Sequence, residues 1–151
     1  LLRHNNCIII TDIQTNTYFN KIRNYIMNLF YKDLIFDIDH VTELQEFTHT
    51  ISDEPADHKL EFILKNKTSE HTKIDATGEI IKDASLIISE VKLDGIELNQ
   101  VFTDRAVYTH NFNGTGQPTQ QKFYGEMGCN GVVCLDFKTP GYHWLLETLQ
   151  P

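Results

Sequence analysis

The chain has 151 residues, enough for one domain with a sizeable core. A hydrophobic fraction of 40% with 11% aromatics excludes a disordered chain. Thirteen Lys and Arg against twenty-one Asp and Glu give a formal net charge of −8, which argues against a nucleic-acid surface, where affinity comes from cations facing phosphates.

The chain begins Leu1-Leu2-Arg3-His4 without an initiator Met, so a preceding segment is expected. Residues 7–13 (Cys-Ile-Ile-Ile-Thr-Asp-Ile) predict a β-strand, because β-branched side chains fit a pleated surface. The next segment predicts the one α-helix. Thr15 or Asn16 caps it, and Phe19, Ile22, Ile26, Leu29 and Phe30 recur at spacings of three and four up to about Lys32. So broad an apolar stripe needs cover, from the β domain or from another chain. Phe19, Ile22, Ile26 and Leu29 are therefore the expected interface residues. Residues 1–33 form an N-terminal strand and helix, an appendage or docking element, and 34–151 form the main domain.

From Leu34 the period changes to two. Leu34, Phe36 and Ile38 turn inward while Asp37 and Asp39 turn outward. Further strands are predicted at about 44–51 and 60–64, with Asp53-Glu54-Pro55-Ala56-Asp57 as a polar loop between them. Lys59, Lys65, Lys67 and Lys73 are interspersed with acids and read as part of a solvated surface. The run from Ser85 to Phe102 predicts a central hairpin. Its turn is Asp94-Gly95, a pair suited to the positive φ angles of a type I′ turn, and Ser89, Val91 and Leu93 share one face. Residues 105–112 predict a strand with Ala106, Tyr108 and His110 on one face, followed by an exposed loop over 113–121. Strands at 122–127 and 132–138 are expected as a hairpin around Asn130-Gly131, with Val133, Leu135 and Phe137 in the core. The tail from Pro140 to Leu149 reads as a short helix opened by Pro140 or, equally, as a last strand, with the helix preferred. Short strands with turn signals every few residues make the chain mainly β, an antiparallel β-sandwich or jelly roll with one N-terminal α-helix.

The chemistry-bearing residues form no catalytic pattern. There is no nucleophile elbow, no phosphate-binding glycine loop, and no zinc spacing among the seven histidines. Cys7, Cys129 and Cys134 are an odd set without a CxxC pair; in the expected hairpin the last two do not face each other, so reduced thiols and an intracellular site of assembly are expected. The strand-end carboxylates Asp37 and Asp39 are the candidate metal ligands, with calcium as the ion, although no EF-hand spacing is present. Tyr108, Tyr124 and Trp144 are the candidate sugar-stacking aromatics. No stretch approaches the roughly 18 apolar residues of a membrane-spanning helix.

Three blocks carry a resemblance. They are Leu60-Glu61-Phe62-Ile63-Leu64-Lys65-Asn66-Lys67-Thr68, Ile87-Ile88-Ser89-Glu90-Val91-Lys92-Leu93-Asp94-Gly95-Ile96-Glu97-Leu98, and Asn130-Gly131-Val132-Val133-Cys134-Leu135-Asp136-Phe137 with its tryptophan-containing end. Over about residues 60–149 this pattern resembles small virion-associated β-sandwich proteins of marine T4-like tailed phages, similar in design to carbohydrate-binding modules. The resemblance implies a non-enzymatic structural or decorating protein of a phage particle, assembled in the host cytoplasm. Its partners would be other virion proteins or copies of itself, with neither nucleic acid nor membrane. The alternative is a carbohydrate-binding module recognising host surface glycans through Tyr108, Tyr124 and Trp144, with or without calcium. A hydrolase using paired carboxylates is the third reading.

Overall fold

The computed structural model describes residues 6–15, 26–31, 33–38 and 45–150. Side-chain alternation is clearest where two long strands meet. Strand β5 (Ala56–Lys65) buries Leu60, Phe62 and Leu64, and β13 (Gly131–Thr139) buries Val133, Leu135 and Phe137. Their antiparallel register sets Phe62 opposite Val133 and Leu60 opposite Leu135, so the buried faces coincide. Each such side chain, once buried, contributes about 1.5–3 kcal/mol relative to exposure.

Around this pair stands a six-stranded antiparallel sheet. It adds β2 (Ile26–Tyr31) and β3 (Asp33–Ile38) beyond β5, and β10 (Val107–His110) and β11 (Thr119–Lys122) beyond β13. A second antiparallel sheet runs β12 (Glu126–Met127), β8 (Leu86–Leu93), β1 (Asn6–Thr15) and β4 (Gln45–Ser52), with the two-residue β9 (Ile96–Glu97) also on β8. A separate two-stranded sheet pairs β6 (Thr72–Ile74) with β7 (Ile80–Asp83). The chain is thus mainly β with two short α-helices, α1 (Gln100–Arg105) and α2 (Gly141–Thr148), among the described residues. One buried cluster takes side chains from both large sheets and both helices, including Leu86, Phe62, Phe102 and Trp144. Phe102 of α1 sits edge-on to Phe62 and to Phe123, with ring centres 6.2 and 5.8 Å away, which ties the helix into the core.

The Asp94-Gly95 turn forms as expected. Its residues take φ of 54° and 82°, and Leu93 pairs with Ile96 across the two-residue loop. The strand before it departs from strict alternation. Val91 and Leu93 are buried, but so are Leu86 and Ile88, and Ser89 is not. The register against β1 steps from Ile10 opposite Lys92 to Asp12 opposite Ser89, so Glu90 and Val91 together face Thr11. This β-bulge, with Glu90 at φ 50°, switches the face that turns inward.

Two expectations are corrected. Residues Ile26 and Leu29, expected on a helix, lie in β2, which is hydrogen-bonded to β3 on one side and β5 on the other. Their spacing fits a helix, but the run Ile26-Met27-Asn28-Leu29-Phe30-Tyr31 is equally a short interior strand, and its backbone groups are satisfied by two ladders. Phe19 and Ile22 lie outside the described residues. The described parts of 1–33 supply strands to both large sheets. The expected hairpin around Asn130-Gly131 does not form either. The 122–127 stretch divides, Lys122 ending β11 in the six-stranded sheet and Glu126-Met127 pairing with β8 in the other. The C-terminal helix forms after Pro140 and buries Trp144 and Leu145.

Candidate functional site

The β6–β7 hairpin begins with its turn. The Asp75 carboxylate accepts hydrogen bonds from the Thr77 amide and hydroxyl at 2.8 and 2.6 Å, and from the Glu79 amide at 3.0 Å. These bonds, the Thr77 hydroxyl foremost, hold the Asp75 carboxyl below its ordinary range. Gly78 at φ 88° closes the turn. On either side of the turn the hairpin carries three large apolar side chains that are exposed. Ile74, Ile80 and Ile81 are 57%, 64% and 53% exposed. Ile74 and Ile80 are cross-strand neighbours, whereas Ile81 is a bulge residue with no counterpart in β6.

The base of the hairpin is fixed by a polar node that the sequence did not reveal. The Lys67 side chain is only 1% exposed, and its ammonium donates to Asp83 Oδ1 at 2.6 Å and to the Gly128 carbonyl. Asp83, the last residue of β7, also accepts from the Thr72 hydroxyl of β6 at 2.7 Å. Asn130 clasps the Lys67 backbone, accepting from its amide and donating to its carbonyl, both at 2.9 Å. The Ala84 amide donates to His71 O at 2.9 Å, closing the hairpin below the last strand pair. The contact with Asp83 explains why a lysine is tolerated in the interior: a buried cation must be paired and hydrogen-bonded. Sequence reasoning placed Lys67 on the surface because its partners lie 16 and 61 residues away.

Beside this node lies the Tyr108 hydroxyl. It donates to Cys129 O at 2.5 Å and accepts from the Cys129 amide at 2.9 Å. Burial pushes its pKa up to about 12. A second node joins the sheet to α2. The Thr139 hydroxyl donates to Glu54 O and accepts from His58 Nε2 at 2.7 Å, and Asp53 Oδ1 accepts from the Gly141 amide at 3.1 Å. All these groups are held in place by one another, an arrangement suited to fixing loops.

The residues expected to bind sugar are not brought together on a surface. Tyr108 is buried, and Trp144 packs edge-on to Phe137 with ring centres 6.1 Å apart. Tyr124 alone of the three presents its ring to solvent, at 78% exposure. Asp37 lies in β3 opposite Asn28, and Asp39 falls outside the described residues. Among the described residues no group of three His, Cys, Asp or Glu is placed to hold a metal ion. Cys129 and Cys134 are free thiols, each with its pKa raised by burial. They stand on separate elements, not across a hairpin. A shallow cleft of about 450 Å³ lies between α1 and the end of α2, lined by Gln100, Val101, Asp104, Arg105, Thr148 and Leu149. No helix among the described residues is long and apolar enough to cross a membrane.

Comparison with protein-family models, with curated proteins and with solved structures yields no match.

Proposed function

We propose that this chain is a non-catalytic structural or decorating protein of a tailed-phage particle, working through protein–protein contacts made by the β6–β7 arm. In this reading the five- and six-stranded sheets face each other as a β-sandwich that serves as the rigid body. The observation that carries it is the exposure of Ile74, Ile80 and Ile81 on a hairpin whose base is bolted to the interior through Lys67 and Asp83. Exposed apolar side chains grouped on a rigid element are the usual mark of a contact surface. The phage setting rests on the resemblance over residues 60–149. The glycan-binding alternative retains Tyr124, while Tyr108 and Trp144 are committed to packing.

The test is particle association. Density-purified phage particles whose genome encodes the chain are expected to contain it in many copies, and the I74S/I80S double variant is expected to be lost from them while remaining folded by circular dichroism. Absence of the wild-type chain from such particles would overturn the reading.

A further inference from the structure

We infer that the cleft between α1 and α2 binds a monocarboxylate with a medium-length alkyl tail, its carboxylate at Arg105 and its tail along α2. The inference uses no residue of the β6–β7 arm and goes beyond the contact reading above. The apolar part of the site is a stripe on α2. Tyr142, Leu146 and Leu149 are exposed and recur at spacings of four and three, which places them on one face of the helix. Leu149 keeps the helical register, since its amide donates to the Leu145 carbonyl at 3.0 Å. At the rise of an α-helix the stripe is about 10 Å long, which suits an alkyl tail better than a single apolar side chain.

The stripe runs into the cleft at Leu149, and the cleft supplies the charge. Its volume of about 450 Å³ falls within the range of small-molecule sites. Two ionised side chains line it, and they are not equivalent. Asp104 accepts from Gln100 Nε2 at 3.0 Å and faces the Lys122 ammonium at 3.5 Å. Arg105 makes no ion pair within 4 Å among the described residues, and it acts on Asp104 only at longer range. An entering cation therefore meets a carboxylate already engaged by two groups, whereas an anion meets a guanidinium whose planar fork fits a carboxylate. Asp104 beside it repels a dianion more than a monoanion, which selects a carboxylate over a phosphate monoester.

The experiment is a titration of the 151-residue chain with sodium octanoate, followed by amide shifts in two-dimensional NMR and by the fluorescence of Trp144, the one tryptophan of the chain and a residue of α2. Octanoate is expected to bind with a Kd of about 1 mM, as so few atoms allow, and to shift amides within 100–105 and 142–149. Acetate lacks the tail and octanamide lacks the charge, so each is expected to bind about tenfold more weakly or not at all. R105Q and L146S/L149S change exposed side chains and are expected to stay folded by circular dichroism. Each is expected to lose about tenfold in affinity for octanoate, R105Q without further effect on octanamide. No response up to about 10 mM octanoate overturns the inference, and so do shifts centred elsewhere or an affinity that R105Q leaves intact. Without a response to octanoate, capture by phosphatidylcholine–phosphatidylglycerol vesicles would assign the stripe to a lipid surface. A dimer abolished by L146S/L149S would then assign it to a second copy instead.

Discussion

Lys67 Nζ lies 2.6 Å from Asp83 Oδ1, and the two ends of this ion pair have different surroundings: the lysine side chain is 1% exposed and the aspartate 36%. The asymmetry decides which substitution hurts. D83A strands an ammonium in the interior with the Gly128 carbonyl as its remaining hydrogen-bond acceptor. K67M removes the buried charge, keeps the stem, and leaves the half-buried Asp83 still accepting from Thr72. Because water reaches the carboxylate, D83A is expected to cost about 1–2 kcal/mol, less than the roughly 3–5 of a fully buried pair, and K67M to cost less than D83A. Urea denaturation of both variants checks the order, and a larger loss for K67M would refute it.

Glu90 occupies a conformation that suits glycine or asparagine. At φ 50° a branched side chain is strained, by roughly 1–2 kcal/mol. Stability is therefore expected to rank E90G and E90N above E90V. Thermal melts of the three variants give the ranking, and an E90V protein as stable as E90G would show that β8 does not need its bulge.

Gly131 matters for space. A methyl group built on it would lie 2.3 Å from the Thr109 carbonyl oxygen and 2.9 Å from His110 Cβ, both on the neighbouring β10. G131A is expected to push β10 away from β13 and to cost about 1–3 kcal/mol. Amide exchange over 107–110 would accelerate in step with the loss of stability. Unchanged exchange there would mean that the strands part somewhere else.

The Tyr108 phenol gives a pH signature. Its folded pKa is raised, to about 12, from an ordinary value of 10.0. A group raised on folding contributes stability that is complete below its unfolded pKa and is lost as pH rises through the folded one. The contribution of Tyr108 is therefore expected to hold up to about pH 10 and to fade between 10 and 12. Y108F loses the two hydrogen bonds to Cys129, at a cost of about 1 kcal/mol near neutral pH, and the gap between wild type and Y108F is expected to close across that alkaline window. A gap that stays constant to pH 12 would contradict the burial of the hydroxyl.

Local signals were legible in the sequence and long-range ones were not. Asp94-Gly95 forms its turn because the pair itself fixes the backbone. The alternation of Leu60, Phe62 and Leu64 forms a buried face because it needs only period two. Ile26 and Leu29 were misread because a short apolar run fits both periods, and the sheet neighbours that decide between them come from β3 and β5. Val132 and Val133 look like the return strand of a hairpin, yet their partners are Ile63 and Phe62, about 70 residues back. The site shows the same division. Asp75 announces its turn, whereas nothing near Lys67 tells that it is buried. Tyr108 and Trp144 look like a binding face only when their packing partners are out of view.

The order of strands has a consequence for synthesis on the ribosome. Strand β1, which precedes both of its neighbours in the chain, is interior to its sheet, held between β4 and β8. Its second neighbour does not exist until Leu93 has been translated. The other large sheet waits longer still, since β13, which divides β10 from β5, ends at Thr139. A nascent chain must therefore carry β1 half-matched from the synthesis of β4 until that of β8, which makes this protein a natural client for a chaperone acting near the exit tunnel.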